Sequence, residues 1–366
     1  MSVLLYVAVL LGPLCGLALF RRKLLSTGSD KALTAERISV IIPARNEEIN
    51  LPHLLGSLGR QTVRPDEIIV VDDHSGDGTK SVAERYGVKV LSAPDLPAGW
   101  TGKNWALWNG YLQSTGDILV FLDADIRLAD HALESLVHTR NRHGGVVSVV
   151  PYHQAEKFHE KWAMILNLLG VFAFTSPFES SNPRKGVYGA CIVADRRDYE
   201  RIGGHQSVRG EMLDDLTIGA QFQRHGIPVN NFLGAGTVSF RMYPLGWKSE
   251  LEGFAKGAIL STSSLSVRTL VFVVLWIVGL IAAQSFPLFY STKLFVPLLV
   301  AYIAYALEIV YFNRYVGRFG WMHPILHVLS MLFFLVVVVY SLYEAVIRKK
   351  VVWKGRYIDV GRNRAA

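Results

Sequence analysis

The sequence predicts an α/β domain on a mostly parallel sheet, carried in a chain with apolar helices of membrane type near both ends. Two patterns support this. From Ile38 onward, short β-branched runs alternate with longer mixed segments, as βαβ units require. Uncharged apolar runs of about bilayer length open and close the chain. A third observation marks where to look for chemistry: Ile118 to Leu122 is an unbroken apolar run that leads straight into Asp123-Ala124-Asp125. A strand buried on both faces reads this way, and open α/β sheets place ligands beyond the carboxyl ends of their strands. Two acids so close repel unless a cation or a phosphate-bound metal lies between them, which is one reading; the other is that they cap the helix-like segment 129–143.

The chain has 366 residues, 51% of them hydrophobic, and a mean hydropathy of +0.27, high for a soluble protein. Its net charge of +8 suits an anionic surface, and the apolar runs make that surface a membrane rather than nucleic acid. The two cysteines, Cys15 and Cys191, imply no disulfide framework and allow a cytosolic catalytic portion. Cys191 reads as a small buried hydrophobe.

Taken in order, residues 1–22 form an N-terminal membrane anchor: an uncharged run followed at once by Arg21-Arg22-Lys23. A signal peptide would carry its basic residues before the run and a small-residue cleavage site after it. The positive-inside rule then leaves the following chain in the cytosol. Strands are expected at 38–42, 68–71, 88–91, 118–122 and 146–150, with helices at 46–59, 79–86 and 103–113. The first strand ends in Pro43-Ala44-Arg45-Asn46-Glu47-Glu48 and the second in Asp72-Asp73-His74-Ser75-Gly76-Asp77-Gly78-Thr79, so both end in carboxylates on one sheet edge. No Gly-x-Gly-x-x-Gly turn opens the helix after the first strand, which argues against a dinucleotide-binding dehydrogenase. Glu48 reads as a charge in a helix's first turn, and Asp72 and Asp77 as turn residues.

The catalytic domain is expected over 36–250, with an interfacial segment at 251–268. Residues 162–178 read as an interfacial or core helix, since a single crossing there would put the later acids on the wrong side. Transmembrane helices are expected over 269–347, as runs at 270–290, 294–312 and 325–343, and a basic cytosolic tail at 348–366. Three crossings from a cytosolic domain would put that tail outside. Either the middle run, with Pro297 and Glu308, is re-entrant, or the first run of the chain does not cross. Glu308 is expected to pair with Arg314.

Lys103 follows Trp100-Thr101-Gly102 at a helix start, where the dipole and its own charge favour a diphosphate; a solvated surface lysine is the plain alternative. The segments from 38 to about 243 resemble a glycosyltransferase family 2 catalytic domain of the GT-A fold, Rossmann-like with a mostly parallel sheet. The resemblance rests on Ile41-Ile42-Pro43-Ala44-Arg45-Asn46-Glu47, Val70-Val71-Asp72-Asp73-His74-Ser75, Gly102-Lys103 with Ala106 and Asn109-Gly110, and Asp123-Ala124-Asp125, in family order. Nearly the whole chain, with Val149-Val150-Pro151-Tyr152-His153, Phe240-Arg241-Met242-Tyr243 and Trp353-Lys354-Gly355-Arg356-Tyr357, looks like the diaponeurosporenoate and hopanoid-associated glycosyltransferases.

The resemblance implies a membrane-bound, metal-dependent, inverting hexosyltransferase. It implies that Pro43, Ala44, Glu47 and Asp73 hold the base and ribose of a nucleotide sugar. Asp125 would bind Mg or Mn bridging two phosphates, and Asp123 would face the ribose or the metal's water shell. An acceptor hydroxyl needs a general base, for which Glu211, Asp214 and Asp215 are candidates. The family's acidic pair falls on Asp214-Asp215 and puts the base at Asp215; because the usual first acid is Glu, the two could exchange roles, and helix capping is the plain alternative. Arg241 would grip the diphosphate. His153 reads as a satisfied structural histidine, with contact to donor or acceptor as the alternative. Absence of Gln-x-x-Arg-Trp favours adding one sugar over building a polymer. The expected donor is UDP-glucose and the expected acceptor a membrane lipid, a carotenoid carboxylate or hydroxyl first and a hopanoid or polyprenyl phosphate second. The enzyme is expected in the cell membrane as a multi-pass protein with its catalytic domain toward the cytosol. A non-catalytic nucleotide-binding membrane scaffold is the rival.

Overall fold

The computed structural model describes residues 2–26, 36–244, 246–258, 264–344, 350–353 and 356–359. The chain forms two compact units. One comprises Lys23–Tyr152 and Pro183–Arg241; the other comprises Met1–Arg22, His153–Asn182 and Met242–Ala366. Residues 153–182, expected inside the catalytic domain, group with the apolar helices.

In chain order the strands are β1 (Ile38–Ala44), β2 (Glu67–Asp72), β3 (Lys89–Ser92), β4 (Ile118–Leu122), β5 (Ile126–Leu128), β6 (Val146–Val150), β7 (Tyr152–His153), β8 (Cys191–Asp195), β9 (Val229–Leu233), β10 (Val238–Phe240), β11 (Lys350–Trp353) and β12 (Arg356–Asp359). The helices are α1 (Ser2–Leu19), α2 (Leu51–Gly59), α3 (Thr79–Arg85), α4 (Gly102–Leu112), α5 (Ala132–His143), α6 (Met164–Thr175), α7 (Arg196–Arg201), α8 (Asp214–Arg224), α9 (Trp247–Ala258), α10 (Val267–Gln284), α11 (Phe295–Val316), α12 (Met322–Ile325) and α13 (His327–Tyr343).

The first unit is built on a seven-stranded sheet in the order β3-β2-β1-β4-β8-β6-β9. All neighbours run parallel except β8, which is antiparallel to both β4 and β6. The mostly parallel sheet is therefore as expected, and all five predicted strands are present. β4 and β6 are buried at every residue, which is why they read as solid apolar runs. Helix α4 lies close on β1 and β2 because Gly110 has no side chain: a Cβ there would sit 2.5 Å from Ile41 and 3.0 Å from Val71. Helix α2 begins at Leu51 rather than near Asn46, and Glu48 is therefore not in its first turn. Its carboxylate instead accepts a hydrogen bond from the Gly78 N–H at 2.8 Å.

In the second unit, α10 and α11 are long and apolar enough to cross a membrane. The run at 325–343 differs from expectation: it breaks at Leu326, and α13 has 17 residues, about 26 Å at 1.5 Å per residue. Helix α11 passes unbroken through Pro297, which lies in its first turn where a missing N–H costs nothing, and through Glu308. Glu308 does not pair with Arg314. Six residues apart, the two point to different sides of the helix; Arg314 is exposed, whereas Glu308 is buried and accepts the Trp276 Nε1–H at 3.1 Å. The Tyr305 hydroxyl donates to the Trp276 carbonyl at 2.8 Å. Gly12 and Gly16 of α1 face this network, and a Cβ on either would collide with Tyr305 or with Glu308 and Trp276. Away from it, Leu10, Leu14 and Leu17 of α1, Val296, Val300 and Leu307 of α11, and Leu332, Val336 and Val339 of α13 are exposed apolar faces.

Helix α6 spans only 12 residues, preceded by a 3-10 turn (His159–Ala163) and stopped before Pro177. His153 is buried against Phe319, and burial pushes its pKa down to about 4 against the opposing effects of Asn167 and Glu160, so it is neutral and structural. Of the basic tail, the backbones of Lys350 and Arg356 fall in the antiparallel pair β11–β12; Arg348, Lys349 and Lys354 lie outside the described residues.

Glu250 of α9 is buried, and among the described residues neither carboxyl oxygen has a hydrogen-bond partner. Burial, then the nearby Glu160, raises its pKa from 4.5 to about 8. A folded-state pKa above the unfolded value stabilises the fold at low pH and loses that contribution as pH rises through the folded value. The midpoint of thermal unfolding of the detergent-solubilised protein is thus expected to fall between pH 5 and 8, on the order of a few degrees, and Glu250→Gln is expected to flatten that slope.

Candidate active site

The carboxyl edge of the sheet carries the predicted residues. Register aligns the strand ends: Pro43 faces Val71, Ala44 faces Asp72, and Ile41 faces Phe121 two residues before Asp123. At the β1–β2 end, the Asp73 N–H donates to the Ala44 carbonyl at 2.8 Å. Asp73 is buried; the Arg45 guanidinium donates to its carbonyl at 2.7 Å and lies 3.9 Å from its carboxylate. The two loops beyond these strands are laced together. Asn46, in the left-handed region at φ 54°, receives the Gly76 N–H on its side chain at 2.8 Å, and its own N–H reaches Ser75 Oγ at 3.0 Å. The Glu47 N–H donates to Thr79 Oγ1 at 2.7 Å, and its carboxylate accepts from Asn50 at 2.8 Å. Asp72 and Asp77 serve as turn acceptors, as expected: Asp72 for the Ser75 N–H, Asp77 for the Thr79 and Glu48 N–H groups.

At the end of β4, the Asp123 N–H is held by the Ala190 carbonyl at 3.0 Å, and the Asp123 carbonyl accepts the Ile126 N–H at 3.2 Å. This tight turn into β5 holds Asp123 and Asp125, so neither caps α5, which starts later, at Ala132. Lys103 Nζ lies 2.7 Å from Asp123 Oδ1, with side-chain exposures of 21% and 32%. Burial acts to lower the Lys103 pKa, but the charges of Asp123, Asp214 and Asp215 outweigh it and hold the pKa above the usual lysine value. Lys103 is thus paired with Asp123 and lies within the fields of Asp214 and Asp215. His205, buried and 2.7 Å from the Tyr199 hydroxyl, is pushed down to about 3 by burial and the Lys103 charge, so it is neutral. Cys191 is buried, and burial with the Asp123 charge drives its thiol well up, which makes it the inert hydrophobe expected.

Asp214 and Asp215 are the first two residues of α8, where their charge also suits the helix dipole. Asp215 Oδ1 accepts the Leu216 N–H at 3.0 Å, so some of its capacity is spent locally. Room for its side chain comes from Gly189, where a Cβ would lie 3.0 Å from Asp215 Cβ. Glu211 is exposed in the loop before α8. Arg241 follows β10, whose pairing with β5 sets Phe240 against Ile126; the Arg241 N–H meets the Asp125 carbonyl at 3.4 Å.

Sequence reasoning missed Asn104. It is fully buried, and its side-chain amide donates to the Val208 carbonyl at 2.8 Å and the Glu211 carbonyl at 3.3 Å. It thereby ties the Lys103 helix start to the loop that leads into Asp214. Its place one turn-step after the cap Thr101, whose hydroxyl accepts the Asn104 N–H, was the only local sign. Gly189 and the reversed strand β8 were missed too, because their effect depends on partners far along the chain.

Among the described residues no three His, Cys, Asp or Glu side chains converge to hold a metal alone. The donors present are hard carboxylate oxygens around one lysine, an excess of negative charge. That set fits Mg or Mn, which bind through one or two carboxylates together with phosphate and water, better than a softer metal.

The family model described as glycosyl transferase family 2 matches residues 39–203. A 4,4'-diaponeurosporenoate glycosyltransferase of Staphylococcus haemolyticus is 35% identical over 370 residues, covering 98% of this chain and 98% of that protein. The protein of the same name from Staphylococcus aureus (strain MRSA252) is 30% identical over 371 residues, 99% of each. Among solved structures, a mannosyltransferase of Pyrobaculum calidifontis in complex with GDP-Man and Mn2+ shares the fold with a TM-score of 0.55 at 17% identity, covering 94% of this chain and 98% of that one.

Asn104→Ala is expected to cost about 1–3 kcal/mol, because the buried Val208 carbonyl loses its donor and the partly buried bond to the Glu211 carbonyl goes with it. The same variant should speed amide exchange over residues 208–213, and unchanged exchange there would show that Asn104 does not hold the loop.

Proposed function

The chain belongs to glycosyl transferase family 2, and we propose that it transfers glucose from UDP-glucose, with inversion, to a carotenoid carboxylate or hydroxyl at a membrane. The observation that carries this is the meeting of Lys103 with Asp123, Asp214 and Asp215 at the carboxyl edge of the sheet, beside the laced nucleotide-facing loops. The names of the two relatives support the acceptor. The exposed apolar faces of α1, α11 and α13 support membrane attachment, with the catalytic unit on the cytosolic side.

In this reading Pro43, Ala44, Glu47 and Asp73 receive the uracil and ribose, since carboxylates accept from N–H and hydroxyl donors. Asp125 and Asp123 would hold Mg or Mn, which when bound supplies Lewis-acid stabilisation of the leaving diphosphate. Lys103 and Arg241 meet the diphosphate with charge-assisted hydrogen bonds. Asp215, with Asp214 beside it, faces the acceptor and takes the proton of an attacking hydroxyl. An acceptor carboxylate arrives already ionised and needs no base.

The test is transfer from labelled UDP-glucose to extracted carotenoid lipids with Mn present. Chelation should abolish transfer and added Mn restore it. With a hydroxyl acceptor, Asp215→Asn is expected to lose about 10²–10⁴-fold in rate while still binding UDP; with a carboxylate acceptor the loss should be much smaller. Full turnover on a hydroxyl acceptor would remove Asp215 from the base role.

A further inference from the structure

We infer that Lys103 is an internal counter-ion that occupies Asp123 until a nucleotide diphosphate arrives, so that metal binding at this centre is conditional on nucleotide. The inference rests on the proposed metal-facing role of Asp123 and Asp125.

The ammonium of Lys103 sits 2.7 Å from the Asp123 carboxylate, partly buried. Asp214 and Asp215 add their fields to the same ammonium. One lysine thus balances charge that several acids share, and it holds an oxygen that a divalent cation would need. Both cations on one carboxylate would repel strongly in so sheltered a place. A diphosphate changes the balance, because it brings the anionic oxygens that can take up a displaced ammonium.

The backbone arrangement fits such an exchange. Lys103 is the second residue of α4, next to the positive end of the helix dipole, where a cation is unfavourable without an anion beside it. Here Asp123 is that anion, so the ammonium stays only while an anion faces it. Its Cα is fixed: Thr101 caps the helix, the Thr101 N–H is bound to the Arg209 carbonyl at 2.8 Å, and Asn104 is anchored to Val208. What remains adjustable is the four-carbon stem, which lets the ammonium move while the helix stays in place. The linkage is reciprocal: if nucleotide tightens metal binding, metal tightens nucleotide binding by the same factor.

The test is a titration of the purified full-length protein with Mn2+, following free Mn2+ by its electron paramagnetic resonance signal, with and without saturating UDP. The wild type is expected to bind Mn2+ weakly alone and on the order of 10–100-fold more tightly with UDP. Lys103→Met and Lys103→Gln should bind Mn2+ without UDP on the order of 10-fold more tightly than the wild type, with a smaller gain from UDP. Lys103→Arg, which keeps the charge, should stay near the wild type. Equal wild-type affinity with and without UDP would overturn the inference, as would neutral variants that bind Mn2+ alone no better than the wild type. Those results leave the metal-dependent transferase reading standing if Mn2+ still binds with UDP; no Mn2+ binding in any condition removes both.

Discussion

Like charges gathered at one edge of a sheet repel, and the catalytic unit depends on how that repulsion is answered. Asp123, Asp214 and Asp215 reach one another's neighbourhood from two elements, the turn after β4 and the first turn of α8. Main-chain groups hold Asp123 and Asp215, and one ammonium pairs with Asp123 within the fields of the other two. The Lys103–Asp123 ion pair therefore joins the helix start of α4 to the end of β4. Asn104 joins the same helix start to the loop ahead of α8 through neutral hydrogen bonds. The two neighbouring residues divide the work: one balances charge, and the other fixes position.

The other half of the edge solves a different problem. In the proposed reading a nucleotide is met by these loops, and loops need their backbone groups satisfied. Here the loops after β1 and β2 satisfy each other through Asn46, Glu47, Glu48, Ser75, Asp77 and Thr79. That exchange explains why α2 starts as late as Leu51: Asn46, Glu47 and Glu48 are committed to the neighbouring loop. Preorganisation of this kind lowers the ordering cost that binding would otherwise incur.

Sequence alone showed β4 and β6 well, since each is a short apolar run buried at every residue, but it missed the parallel strand β9, whose Asn230 and Asn231 break the apolar pattern. It also singled out Lys103 and the three acids. The missing features share a physical cause. β8 is antiparallel and its pairing with β4 and β6 is a long-range fact; β5 and β10 are three-residue strands too short to show a period. Glu308 looked like a partner for Arg314 because both carry charge nearby, but helix geometry sets them on different sides, and the buried partner, Trp276, comes from another helix. Glu250 gave no sign at all, because burial of one residue in an amphipathic segment depends on what packs over it.

The packing of Gly12 and Gly16 against Tyr305, Trp276 and Glu308 has a consequence in time. The first helix of the chain leaves the ribosome long before the helices it fits, since roughly 290 residues of synthesis separate Gly16 from Glu308, on the order of 15–60 seconds at usual elongation rates. During that interval α1 has no partner for its glycine face, and all of the residues that build the seven-stranded sheet are made. Closure of that face therefore waits for α10 and α11, the helices that carry Trp276, Tyr305 and Glu308.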